Sequence, residues 1–129
     1  MIVVDTSAVV EALAARRPDP ALLDRIAGTT IHAPHLIDGE FLHAIRGLTL
    51  GGKLGRAEAD AALDDFMSLR IERHPVTDLL PRAWALFANV TAYDTCFVAL
   101  AEGLDCPLVT CDAKLTAGGS YASVELYAR

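Results

Sequence analysis

The sequence predicts an α/β fold, a central parallel β-sheet flanked by α-helices. Two observations carry that reading. Short apolar runs such as Ile2–Val4 and Leu108–Thr110 alternate with segments of helical period, the pattern of strands joined by crossover helices. The runs are apolar without alternation, as strands covered on both faces are. The composition agrees: alanine is abundant and aromatics make up only 6% of residues, which favours close helix packing in layers.

In order along the chain, Ile2–Val4 is a strand and Thr6–Ala15 a helix, with Pro18 and Pro20 punctuating the segment after it. Ala21–Ala27 is a short helix ended by Gly28, and Thr30–Ala33 a strand before Pro34. Leu36–Leu48 is a helix with Ile37, Phe41, Ile45 and Leu48 on one face, broken by Gly51, Gly52 and Gly55. Arg56–Leu69 is a helix carrying Ala59, Leu63, Phe66 and Met67, and Ile71–His74 an edge strand before Pro75. Leu79–Ala88 is helical around Trp84 and Phe87. Ala92–Leu104 is apolar almost all round through Phe97–Ala101, so it is a buried helix. Leu108–Thr110 and Val124–Tyr127 complete the strands.

Length and composition narrow the function classes. At 129 residues the chain is read as one domain, 1–129, long enough to bury a core without staples. Its 53% hydrophobic and 22% charged residues exclude a disordered chain. Three cysteines (Cys96, Cys106, Cys111) without a CxxC pair argue against a disulfide framework or a zinc knuckle and fit a reducing cytoplasm. Asp5 interrupts the first apolar run and no basic region precedes it, unlike a signal peptide. No apolar run approaches the roughly 20 residues that span a bilayer. The Asn89-Val90-Thr91 glycosylation pattern therefore has no compartment in which to act. The net charge of −6 argues mildly against a nucleic-acid partner, although the position of charge matters more than its total.

The acidic residues carry the chemistry. Asp5 and Asp112 each follow an apolar strand, so in a parallel sheet both emerge at one edge. Asp94 lies in the first turn of the most buried helix and Glu40 near the start of the Leu36–Leu48 helix; right-handed crossovers bring both helix starts to that edge. Singly, Asp5, Asp94 and Asp112 also read as helix N-terminal acids, and Glu40 as a solvated helix residue. Jointly, converging carboxylates repel one another and raise some of their pKa values. Mg²⁺ or Mn²⁺ neutralises such a cluster, and a set of carboxylates without His or Cys points to magnesium-type chemistry. Such a site can hold a phosphodiester, activate a water and stabilise the leaving oxygen.

These residues also carry a family resemblance. "MIVVDTSAVV" resembles the first strand and turn of PIN-domain ribonucleases, and "LIDGEFLHAIR" their second motif, with the acid at Glu40. "NVTAYDTCFVALAEGLDCPLVTCDAKL" is similar to the third and fourth, with acids at Asp94 and Asp112. Size and motif order are similar to VapC-type toxins of type II toxin–antitoxin systems. The resemblance implies a PIN fold whose Asp5, Glu40, Asp94 and Asp112 line one magnesium site. It implies Thr6 or Ser7, Thr110 and Asn89 as supporting polar residues. It implies endonucleolytic RNA cleavage with water as nucleophile, a homodimer, and a cognate VapB-type antitoxin that blocks the site. No acid follows Asp112 until Glu125, so the fifth carboxylate of some PIN proteins has no counterpart, and the number of metal ions stays open.

Four acids gathered at one site account for much of the negative charge. RNA is then held by metal and local basic residues, with Arg16 and Arg17, just past the first helix, the leading phosphate contacts. Arg46, Lys53, Arg56, Arg70, Arg73 and Arg82 read mostly as solvated charges. Asp38 points about 200° away from Glu40 on a helix, so it reads as a first-turn acid rather than a ligand. The four histidines lack metal-ligand spacing, Tyr93 reads as core in preference to a ring that stacks a base, and Trp84 as core or as a contact with another chain. Two other functions compete. A haloacid-dehalogenase-type phosphatase needs a second Asp two residues after the first, where this chain has Ser7. A catalytically silent binding module would use the acids only as caps.

Overall fold

The computed structural model describes residues 1–116 and 121–128. The first strand, β1 (Ile2–Val4), forms the centre of a five-stranded parallel sheet. On one side lie β2 (Ile31–Pro34) and β3 (Ile71–His74), and on the other β4 (Leu108–Thr110) and β5 (Val124–Leu126), giving the order β3-β2-β1-β4-β5. Val3 pairs with His32 on one flank and with Leu108 on the other. Every residue of β1 and β4 is fully buried, and successive side chains point to opposite faces, so the sheet is covered on both sides. The chain winds outward from β1 to β2 and β3, then returns to place β4 on β1's free flank. That reversal opens a crevice at the carboxyl ends of β1 and β4.

The helices are α1 (Thr6–Ala14), α2 (Pro20–Ala27), α3 (Leu36–Leu50), α4 (Arg56–Ser68), α5 (Leu80–Ala85) and α6 (Ala92–Leu104). α1, α3 and α4 pack together, and α6 packs on β1, β2 and α5. Phe41 of α3 stacks on Phe66 of α4 with centroids 4.1 Å apart. α6 ends at Asp105, whose φ of 49° is left-handed; Asp tolerates this better than most residues, and it turns the chain through Pro107 into β4. Among the described residues no helix is long and apolar enough to cross a membrane.

Two expectations, a single helix over Leu79–Ala88 and a core Tyr93, are corrected, and the facing of other apolar residues is now defined. The segment expected as one helix over Leu79–Ala88 is a 3₁₀ turn (Val76–Leu79) followed by the short α5, with Pro81 at its start. Trp84 is 72% exposed and stacks on an exposed Phe87, while Ala83 and Leu86 face inward. The apolar residues there fit two helix faces, and the small Ala83 is the one that lets α5 approach Cys96 and Ala99 of α6. In α4, Leu63 and Met67 face outward and Ala59, Ala62 and Phe66 inward. Tyr93, read as core, is exposed on the first turn of α6.

Candidate active site

Asp5 ends β1 and begins α1, and its carboxylate serves both. Oδ1 accepts from the Ala8 N–H at 3.0 Å as the helix N-cap, and from Ser7 Oγ at 2.8 Å. Oδ2 accepts from Thr110 Oγ1 of β4 at 2.6 Å. Capping and site-building, alternatives in the sequence, are one arrangement. Asp5 is only 4% exposed, and burial pushes its pKa above the usual carboxylate range of about 4. Its three donors pull the other way, and the nearby Asp94 adds a smaller upward push.

The hydroxyls extend this into a small network. Ser7 Oγ accepts from the Cys111 N–H at 2.9 Å, and Thr110 Oγ1 from the Asp112 N–H at 2.9 Å. They tie the turn after β4 to the start of α1 and set where Asp112 leaves the strand. Asp112 Oδ1 caps the following 3₁₀ turn (Ala113–Thr116) by accepting from the Lys114 N–H at 3.0 Å.

Glu40 projects from α3 and accepts from Thr6 Oγ1 at 2.7 Å. Burial raises its pKa, and Asp94 adds to that. Asp94, in the first turn of α6, is held by the N-cap residue Thr91, which donates to Asp94 Oδ2 at 2.9 Å and accepts from the Asp94 N–H. Asp94 thus bears electrostatically on both Asp5 and Glu40.

All four acids line one cleft of about 750 Å³. Its walls run along α1 (Val10, Ala14) and α3 (Ala44, Gly47, Leu48), and it closes toward Leu54. Thr6, Ser7, His43, Arg16 and Lys53 also line it. Arg17 and Asn89 do not; Asn89 is exposed in the turn before α6. Asp38 lies in the first turn of α3 and pairs with Arg73 at 2.8 Å. The sequence reading missed Thr91, whose place three residues before Asp94, a capping spacing, was its only signal. Among the described residues none of the four acids has an ion-pair partner, whereas Asp38, Asp60, Glu102 and Glu125 each have an arginine. Nor do any three His, Cys, Asp or Glu side chains there already stand close enough to share a metal ion. The donor chemistry suits a hard cation: oxygen ligands only, one of them buried and held from behind by hydroxyls.

The PIN domain family model matches residues 2–118, the span that contains all four acids. The chain belongs to the PIN domain family. Among PIN relatives, "Ribonuclease VapC9" of Mycobacterium tuberculosis is 44% identical over 119 residues, covering 92% of this chain and 91% of that protein. Two solved PIN-fold structures resemble this one. VapBC2 from Rickettsia felis, bound to a DNA fragment from their promoter, has a TM-score of 0.72 at 14% identity, covering 98% of this chain and 99% of that one. VapBC-5 from Mycobacterium tuberculosis, described as a member of the VapBC family of toxin–antitoxin systems, has a TM-score of 0.55 at 25% identity, covering 98% and 97%. The PIN assignment removes the haloacid-dehalogenase reading, and the parallel sheet flanked by helices is as expected.

Proposed function

We propose that this PIN domain is a Mg²⁺-dependent endoribonuclease, with Mn²⁺ a possible substitute, and the toxin of a toxin–antitoxin pair. The observation that carries the reading is the set of four carboxylates, brought from four separate segments to one cleft and left without an ion pair among the described residues. Asp5, Glu40, Asp94 and Asp112 are its ligands. A bound Mg²⁺ supplies Lewis acidity toward a phosphodiester and lowers the pKa of a coordinated water. Ser7, Thr110, Thr6 and Thr91 hold three of the carboxylates in place, and burial of Asp5 keeps bulk water from its inner side. The apolar walls beside the acids give the strand a surface to lie on.

The 44% identity to a ribonuclease supports the activity, and the likeness to VapBC-5 supports a VapB-type antitoxin that covers the cleft. A cytoplasmic homodimer belongs to the same proposal, and light scattering of the purified protein tests the dimer. The deciding experiment compares wild type with Asp5→Asn on total cellular RNA, in Mg²⁺, Mn²⁺ or EDTA, with sequencing of the new ends. Discrete cuts that need both metal and Asp5 are expected. No cutting by antitoxin-free wild type that binds metal would favour a silent binding module.

A further inference from the structure

We propose that Arg16 and Lys53 form a phosphate clamp at the far end of the acidic cleft, gripping the RNA backbone about two nucleotides from the bond that is cut. The proposal rests on the ribonuclease reading and goes beyond it by naming where and how the strand is held.

The first observation is a difference among the cations. Arg25, Arg56, Arg73 and Arg82 each pair with a carboxylate at 2.6–3.0 Å. Arg16, Arg17, Arg46, Lys53, Arg70 and Lys114 have no ion pair among the described residues. Of these six, only Arg16 and Lys53 line the cleft that holds the acids. In a chain with a net charge of −6, two exposed cations kept free beside an acidic cleft are suited to an anion from outside. Glu11 lines the same stretch without neutralising either of them.

The second observation is their place. The Lys53 N–H donates to Leu48 O at 2.9 Å, so its backbone lies level with Leu48. Leu48 is eight residues beyond Glu40 on α3, about 12 Å along the helix axis. Arg16 stands two residues past α1, across the cleft. Between them and the acids the floor is Ala14, Ala44 and Gly47, and a Cβ built on Gly47 would meet nothing within 4 Å. Among the described residues the one aromatic ring lining the cleft is the His43 imidazole, three residues past Glu40 at the acid end, so beyond it no ring is offered to a base. The cleft therefore offers metal ligands at one end, a shallow trough of small residues, and two donors for a phosphate at the other. It grips backbone rather than reading bases.

The test measures binding of labelled mixed-sequence single-stranded RNA of about 16 nucleotides, and of a dinucleotide, in Mg²⁺ across a salt series. Asp5→Asn in every arm keeps the RNA intact. Arg16→Ala and Lys53→Ala are each expected to weaken binding of the long RNA and to reduce its salt slope by about 0.7, the single-strand value per phosphate. Binding of the dinucleotide, whose single internucleotide phosphate cannot serve both the acids and a clamp about 12 Å away, is expected to stay unchanged. Arg70→Ala removes an exposed, unpaired cation outside the cleft and should alter neither. If wild type cuts RNA while both cleft variants keep full affinity and slope, the clamp is overturned and the ribonuclease reading stands. If wild type neither binds nor cuts, the clamp falls with the reading beneath it.

Discussion

Thr110 Oγ1 and Asp5 Oδ2 meet at 2.6 Å across two neighbouring parallel strands, 105 positions apart in the chain. Both residues are buried. This bond joins the last central strand to the first and fixes the innermost carboxylate of the site. Thr110→Val keeps the shape and removes the hydroxyl. It leaves Asp5 Oδ2 and the Asp112 N–H short of a partner, at a cost of about 1–3 kcal/mol. A urea titration should show that loss, and Thr110→Ser should recover most of it.

Asp5→Asn is expected to abolish metal-dependent cleavage and yet stabilise the metal-free protein. Burial raises the pKa of Asp5 from its ordinary 3.8. Above 3.8 the unfolded chain gives up this proton while the folded chain still holds it, so folding stability falls as pH rises through that window. At neutral pH the full penalty applies, and Asn removes it while still offering an oxygen to the Ala8 N–H. The urea midpoint in EDTA should therefore be higher and flatter with pH for the variant. Mg²⁺ should reverse the order, adding about 2.7 kcal/mol to wild type at a hundredfold excess over its Kd.

His32 and His74, on adjacent strands, lie 2.9 Å apart through Nδ1 and Nε2. Burial, and then the His74 charge, lower the His32 pKa below 6.5. As pH drops beneath 6.5 the unfolded chain takes up a proton that folded His32 refuses, so stability declines toward the folded pKa. His32→Gln should flatten that decline in melts between about pH 7 and pH 5.

Gly47 separates stability from access. Its Cβ position is open, so Gly47→Ala should stabilise α3 by about 0.5–1 kcal/mol with cleavage largely kept. Gly47→Leu should fold equally well but fill the trough and reduce cleavage of long RNA. Thermal melts and a cleavage time course distinguish the two.

The sequence made the positions of the acids legible because each sits beside a strong local signal. Apolar runs ending in Asp located Asp5 and Asp112, and helix starts located Glu40 and Asp94. The parallel sheet could be read from the same runs. The hydroxyl partners were harder to see, since Thr6–Glu40 and Thr110–Asp5 span 34 and 105 residues and no local pattern encodes a contact at that range. Tyr93 was read as core and is exposed on the first turn of α6. Of the two readings of Trp84, core or a contact with another chain, exposure removes the first, because the small Ala83 is the residue of short α5 that packs inward. Lys53 reads as any solvated lysine in the sequence, and only the packing of α1 on α3 places this exposed residue at the rim of the acidic cleft.

The strand order has a consequence for synthesis on the ribosome. β1 is made first, yet one of its flanks stays bare until β4, about a hundred residues later, emerges to cover it. Asp112 arrives later still, and Asp5 lacks its Thr110 bond until then. A nascent chain therefore carries three of the four acids without assembling the cleft. The cleft is thus a late product of the chain, complete only once the second central strand has joined the first.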